Sequence, residues 1–360
     1  MTISFKQFDW ILIGSSILLV GIGLISLYSS SVGRADFLNF QKQAIFAGIG
    51  LGLMFLFSSI DWRIFRSNPY LVSALYIIGC LSLAGLFLFA AETRGVKGWY
   101  KVGPVSIDPI EFIKLILILV LAKYFSIYHV EVYRIRHILL SGLYVLIPSS
   151  LIFLQPELGS VLIIFALWLV VLIISGVKIK TFLTLILCLL LALGLCWSFA
   201  LKDYQKERAI SFVLPQFEPL GVGWSETQSK IAIGSGGIFG QGFSLGSQTQ
   251  YGFLSEPQTD FIFAAIAEEF GLVGVSVIFI LFSILIWRII KIALFGQSNF
   301  PRIFATGLAI LLSFQVFINI GMNLGLLPII GISLPLISYG GSGLILTYIS
   351  LGIVQSIKIH

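Results

Sequence analysis

The chain has very little charge. Only 11% of its 360 residues are Asp, Glu, Lys or Arg, against 58% hydrophobic, and the mean hydropathy is +1.04. A soluble domain carries roughly 25% charge, so this composition excludes one. Cysteine and histidine are as scarce, at three each. Cys80, Cys188 and Cys196 all fall in apolar runs, which argues against disulfides, and their spacing fits no zinc motif. His129, His137 and His360 are scattered, so they supply no histidine-based catalyst or metal cage. The absence of a GKS or GKT element excludes a nucleotide P-loop.

What is present is apolar sequence in blocks of about twenty residues, the length that crosses a ~30 Å hydrocarbon core. The blocks lie near residues 10–29, 43–60, 70–91, 110–127, 137–154, 158–176, 181–200, 261–290, 303–326 and 335–357. They predict an all-α integral membrane protein of about ten transmembrane helices, a single polytopic domain over 1–360. The first block starts too near Met1 and runs too long for a cleaved signal peptide, so it is read as a retained anchor. With the N-terminus in the cytoplasm, the inside connections hold twelve Lys and Arg, whereas the short outside ones hold five: Arg34, Lys42, Arg94, Lys97 and Lys101. The connection at 201–259, between helices 7 and 8, is set aside because long loops translocate regardless of charge. Both termini are therefore expected in the cytoplasm and the long loop outside. The net charge of +6 follows mostly from this bias and implies no nucleic-acid partner.

The expected outside connections hold the chemistry. Ser255 to Phe263 reads SEPQTDFIF and sets Glu256 and Asp260 where a polar loop meets an apolar helix; a carboxylate at a lipid boundary is costly and marks a functional site. Residues 94–104 interleave Arg94, Lys97 and Lys101 with Trp99 and Tyr100. They fit a headgroup anchor or a pyrophosphate and sugar site, in which fixed cations hold phosphate oxygens and Trp99 stacks on a ring. In DPIEFIK, Pro109 starts a helix, so Glu111 and Lys114 share one face just inside the membrane. They form either a neutralising pair or one side of a hydrated cavity. Gln155-Pro156-Glu157-Leu158-Gly159 puts Glu157 in a first helical turn, where the dipole favours an anion. Residues 228–242 carry a glycine-rich run that fits an anion-binding nest or a tight re-entrant turn. Asn319 to Ser342 is an apolar run broken by Pro328, Gly331, Pro335 and Gly340-Gly341. Such backbone survives at membrane depth only when buried in protein or lining a cavity.

Taken in order, these motifs resemble the SEDS proteins (shape, elongation, division and sporulation), nearly end to end. The likeness includes the opening Phe8-Asp9-Trp10, Leu27-Tyr28-Ser29-Ser30, Arg208 in the long loop, Glu268-Glu269 and the closing SYGGS. The short N-terminus is closer to the elongation branch, RodA, than to the division branch, FtsW. Position 108 is Asp where the family commonly has Gln, Ile110 replaces Ser, Glu157 replaces Asp, and Ser255 and Gln258 replace Pro and His. No histidine therefore precedes Asp260 by two residues.

The resemblance implies an inverting glycosyltransferase that polymerises lipid II into glycan strands at the outer face of the bacterial cytoplasmic membrane, for elongation and rod shape. Asp260, Glu111 and Lys114 are then the expected catalytic residues, with Asp260 as the base because a partly desolvated carboxylate takes a proton better than one in water. Substrate binding falls to Arg94, Lys97, Trp99, Glu157, Arg208, Lys230, Thr259, Ser338 and Tyr339. No cofactor and no metal cage is implied; a magnesium or manganese ion carried by carboxylate and substrate phosphate is left open. The implied partners are lipid II, the undecaprenyl-pyrophosphate-linked glycan, a class B penicillin-binding transpeptidase and the elongation machinery, within membrane lipid. A lipid II flippase or a non-catalytic scaffold for the transpeptidase is the alternative, since charges and broken helices also belong to transporters.

Overall fold

A computed structural model describes residues 7–90, 98–103, 105–128, 134–155, 157–199, 206 and 222–360. Helices dominate because, in lipid, an isolated segment can satisfy its backbone N–H and C=O groups only within itself. Among the described residues, seven helices are long and apolar enough to cross a membrane: α1 (Trp10–Arg34), α2 (Leu38–Ser59), α4 (Leu71–Phe89), α6 (Ile135–Leu154), α11 (Ile262–Leu294), α12 (Asn299–Asn323) and α13 (Gly341–Ile359). Three more stand at the remaining expected places: α5 (Pro109–Ile127), which carries Glu111, Lys114 and Lys123, the 17-residue α7 (Leu158–Ile174), and α8 (Ile179–Phe199). The chain is thus a helical membrane protein. Short elements complete it: α3 (Arg63–Ser67), a hairpin of β1 (Tyr100–Val102) and β2 (Val105–Ile107), α9 (Val222–Gly236) and α10 (Ser247–Gln250).

The centre of the bundle is α12, which packs against α11, α5 and α7; α13 lies along α2, and α1 along α11. One continuous apolar core joins these helices, with Ile113, Leu117, Phe125, Phe263, Phe304 and Tyr348 buried within it.

Three expectations change. The span near 261–290 is not one helix: Gly271 breaks α11 with φ 61° and ψ −159°. This left-handed backbone costs glycine little, and any side chain here would strike the backbone of Ile238 and Gly240. The glycine-rich run is not an anion nest. Its first part is the end of α9, and its later N–H groups are already used: Gln241 N donates to Glu268 O at 2.9 Å and Gly242 N to Glu269 O at 3.1 Å. Leu272 N and Val273 N return bonds to Gly237 O and Ile238 O, so the run is a splint across the break. The last two spans also shift, to Asn299–Asn323 and Gly341–Ile359, because residues 324–340 form a non-helical connection, buried over 334–338.

Candidate active site

The hairpin delivers the chain to Asp108, and Tyr100 fixes it by donating to Ser82 O at 2.6 Å. Asp108 is the N-cap of α5: its Oδ1 accepts from Ile110 N at 2.8 Å, and its own N donates to Ser342 Oγ at 3.0 Å. Pro109 follows at the first helical position, where its missing N–H costs nothing. One turn on, Lys114 Nζ donates to Glu111 Oε1 at 2.7 Å, with Lys114 only 3% exposed and Glu111 19%.

Glu157 stands beside this pair. It occupies the N-cap position of α7 rather than the first turn, and it makes no side-chain cap bond; its Oε1 accepts from Ser160 Oγ at 2.8 Å. A capping role therefore does not account for it. Burial first, then the Glu157 and Glu111 carboxylates, push Asp108 well above the usual carboxylate range, against the pull of Lys114 and Ile110 N–H. Burial raises Glu157 too, opposed by Lys114 and Ser160. Three carboxyls thus lie about one buried lysine, and burial favours the protonated form of Asp108 and Glu157.

Asp260 lies in the loop before α11, partly buried, with Phe261 at the N-cap position. Its backbone oxygen accepts from Asn319 Nδ2 at 3.1 Å and Asn323 Nδ2 at 2.9 Å, two amides one turn apart on α12. Asn319 also donates to Ile332 O at 2.8 Å. A methyl group on Gly331 would sit 3.8 Å from Asp260 Oδ2, and one on Gly159 would meet Ile330 O at 2.9 Å. The 330–332 segment therefore fills the space between the start of α7, next to Glu157, and Asp260.

Ser338 and Tyr339 act on the same loop through the backbone. Ser338 Oγ donates to Thr259 O at 2.7 Å and accepts from Leu334 N at 2.8 Å, while Tyr339 N donates to Gln258 O at 2.8 Å. Gln258, where the related pattern has His, points to α1 and α2: Asn39 donates to its Oε1 at 2.6 Å, and its Nε2 donates to Ser30 Oγ at 3.2 Å. Gln43, 1% exposed, closes the frame by donating to Ser338 O at 3.0 Å and accepting from Gly340 N at 3.2 Å. A cleft opens on this frame, lined by Glu111, Gln315, Ser333, Ser338, Gly343 and Thr347 among others; neither Asp260 nor Glu157 is among its walls.

The remaining sequence candidates divide. Trp99 is 37% exposed beside the hairpin. Lys230 stands apart on α9, paired with Glu226 at 2.6 Å and laid across Gly325. Arg94, Lys97 and Arg208 lie outside the described residues. No group of three His, Cys, Asp or Glu among the described residues is arranged to hold a metal ion. Sequence reasoning missed Asn39, Gln43, Gln315, Asn319 and Asn323. The usable signal was their type: amides in apolar helices need partners and seldom occur without a task.

Comparison with known proteins agrees over the whole length. The chain is 37% identical to the peptidoglycan glycosyltransferase MrdB of Escherichia coli K12 over 313 residues, covering 87% of this chain and 83% of that one. It is 36% identical to the stage V sporulation protein E of Bacillus subtilis, covering 97% and 96%. A solved structure concerned with structural coordination of polymerization and crosslinking by a peptidoglycan synthase complex contains a chain 31% identical. That chain superposes with a TM-score of 0.83, covering 98% of this chain and 97% of its own length. The model of the FtsW, RodA and SpoVE cell cycle proteins matches residues 9–360. A match of that extent makes the chain a member of the FtsW/RodA/SpoVE family.

Proposed function

We propose that the chain is a peptidoglycan glycosyltransferase that polymerises lipid II at the outer face of the bacterial cytoplasmic membrane. The observation that supports this most is the partly buried set of Asp108, Glu111, Lys114 and Glu157, with the 330–332 segment between it and the clamped Asp260 loop. An inverting transfer forms a β-1,4 bond as the α-linked pyrophosphate leaves. It needs a base for the acceptor hydroxyl and fixed positive charge for the leaving group. Asp260 takes the proton; the amides of Asn319 and Asn323 fix the peptide that carries it. Lys114, held by Glu111, supports the departing pyrophosphate, with Arg94, Lys97 and Arg208 as further cations. A magnesium or manganese ion would come with the pyrophosphate oxygens and one carboxylate.

On the likeness to the peptidoglycan synthase complex, a class B transpeptidase and the elongation machinery are the proposed partners. The test is polymerisation of lipid II by purified protein in detergent, paired with lipid II movement in liposomes. Asp260→Asn keeps the shape of the side chain and removes its basic lone pair. It should express normally and lose polymer formation by at least ~10². Near-normal polymer from this variant would sink the role of Asp260. Wild type that moves lipid II and makes no polymer would make the chain a transporter.

A further inference from the structure

The far end of α11 from Asp260 carries a second site that the transferase reading leaves unused. A cavity of about 350 Å³ opens between the ends of α1, α11, α12 and α13, framed by Asp9, Arg288, Lys291, Phe295, Pro301 and Lys358. That size falls within the roughly 300–1,000 Å³ of ligand-binding clefts. Three cations and one side-chain carboxylate line it. Arg288 is committed to Asp9, with Nε at 3.0 Å from both oxygens and one terminal nitrogen at 2.5 Å, and Lys358 Nζ reaches the same carboxylate at 3.2 Å. Lys291 is exposed and makes no hydrogen bond or ion pair among the described residues. The recess therefore keeps surplus positive charge.

Two further observations indicate what would fill it. Lys291 shares a helical face with Trp287 and Leu294, which are 64% and 70% exposed, and Phe295 beside them is 78% exposed. A soluble anion has no use for an indole and a phenyl ring at the rim; a lipid does, because aromatic rings sit at the headgroup level while acyl chains run along the helix below. The first turn of α12 also begins at this cavity without a side-chain cap, and Ser298 Oγ is buried with no partner. The start of this helix adds partial positive charge of the kind that favours phosphate.

We propose that this recess binds one anionic phospholipid by its phosphate, with Lys291 and Lys358 taking the charge and the Trp287–Leu294 face of α11 carrying an acyl chain. Clusters of Lys and Arg at membrane ends attract anionic headgroups at about 1 kcal/mol per cation, so two lysines carry most of the selectivity. Native mass spectrometry of the full chain, offered phosphatidylglycerol and phosphatidylcholine in equal amounts, measures it. Wild type should retain one phosphatidylglycerol in preference, and K291Q/K358Q should lower that retention at least about tenfold. R66Q/K180Q, which removes the same charge elsewhere, should stay within about twofold. K291Q alone breaks no ion pair and should show part of the loss even if K358Q disturbs the Asp9 cluster. Unchanged retention in K291Q/K358Q, equal retention of phosphatidylcholine, or the same loss in R66Q/K180Q would overturn the site. Release of the lipid by millimolar inorganic phosphate would make it a soluble-anion site instead and overturn the lipid.

Discussion

Asp9 and Asp108 are the same residue type in the same local role, each capping a long helix with its own carboxylate, yet their surroundings give them opposite characters. Around Asp9, burial works to raise the carboxyl, but the Arg288 guanidinium, the Leu12 N–H and Lys358 outweigh it and hold it below the usual range. That aspartate is a latch: it ties α1 to α11 and α13, and Gln355 bonds its backbone on both sides, accepting at 3.0 Å and donating at 3.1 Å. Around Asp108 the count reverses, with three carboxyls to one lysine, and the group is pushed up. A cap fixes where a helix begins; the charges brought in by other helices decide what the cap can do.

The largest expected effect tests the acid-rich end. Lys114→Met strips from three carboxyls the one cation beside them among the described residues, and breaking a buried pair in this way costs roughly 3–5 kcal/mol, so membrane yield should fall. Adding Glu111→Gln should restore yield without restoring polymer, which stays down by at least about 10² because support for the leaving group is gone. If the double variant polymerised lipid II within about twofold of wild type, Lys114 would be a neutralising residue only.

The comparison itself is sharpened by thermal unfolding in detergent across pH. Asp9 has a depressed pKa in the folded state, so its stabilisation is complete above the unfolded value near 3.9 and is lost as pH falls through the folded value. Asp9→Asn should therefore destabilise by about 2 kcal/mol at pH 7, with the gap closing below about pH 4. Asp108 has a raised pKa, so it costs stability as pH rises from the unfolded value through the folded one. Asp108→Asn should stabilise by about 1 kcal/mol at pH 7, and that gap should also close in acid. The same sign for both substitutions would break the contrast.

The smallest effect is expected at Trp99. Trp99→Ala should raise KM about three- to tenfold and leave kcat nearly unchanged, since stacking contributes to ground state and transition state alike. A fall in kcat with constant KM would instead place the ring at the reacting centre.

The sequence itself determined the solvent, the helices and the residue types at the site. Apolar blocks of spanning length admit only helices in lipid, and Pro109, Gly331 and the Gly340-Gly341 pair mark where helices start or fail regardless of neighbours. Glu111 and Lys114 were readable as a pair because three residues of helix bring side chains together. Only the tertiary structure decided the rest. Residues 228–242 offered glycines that suit a nest or a turn; it took the broken backbone of Gly271 on another helix to use their N–H groups as a splint. Gln258 lies two residues from Asp260 in the chain, but Asn39 and Ser30 from α2 and α1 turn it away into the frame. Asn319 and Asn323 became the holders of Asp260 because α12 passes behind the loop. Local sequence sets dihedral preference and side-chain spacing. Charge balance and hydrogen-bond partners depend on residues tens to hundreds of positions away, and those are brought together only when the helices pack.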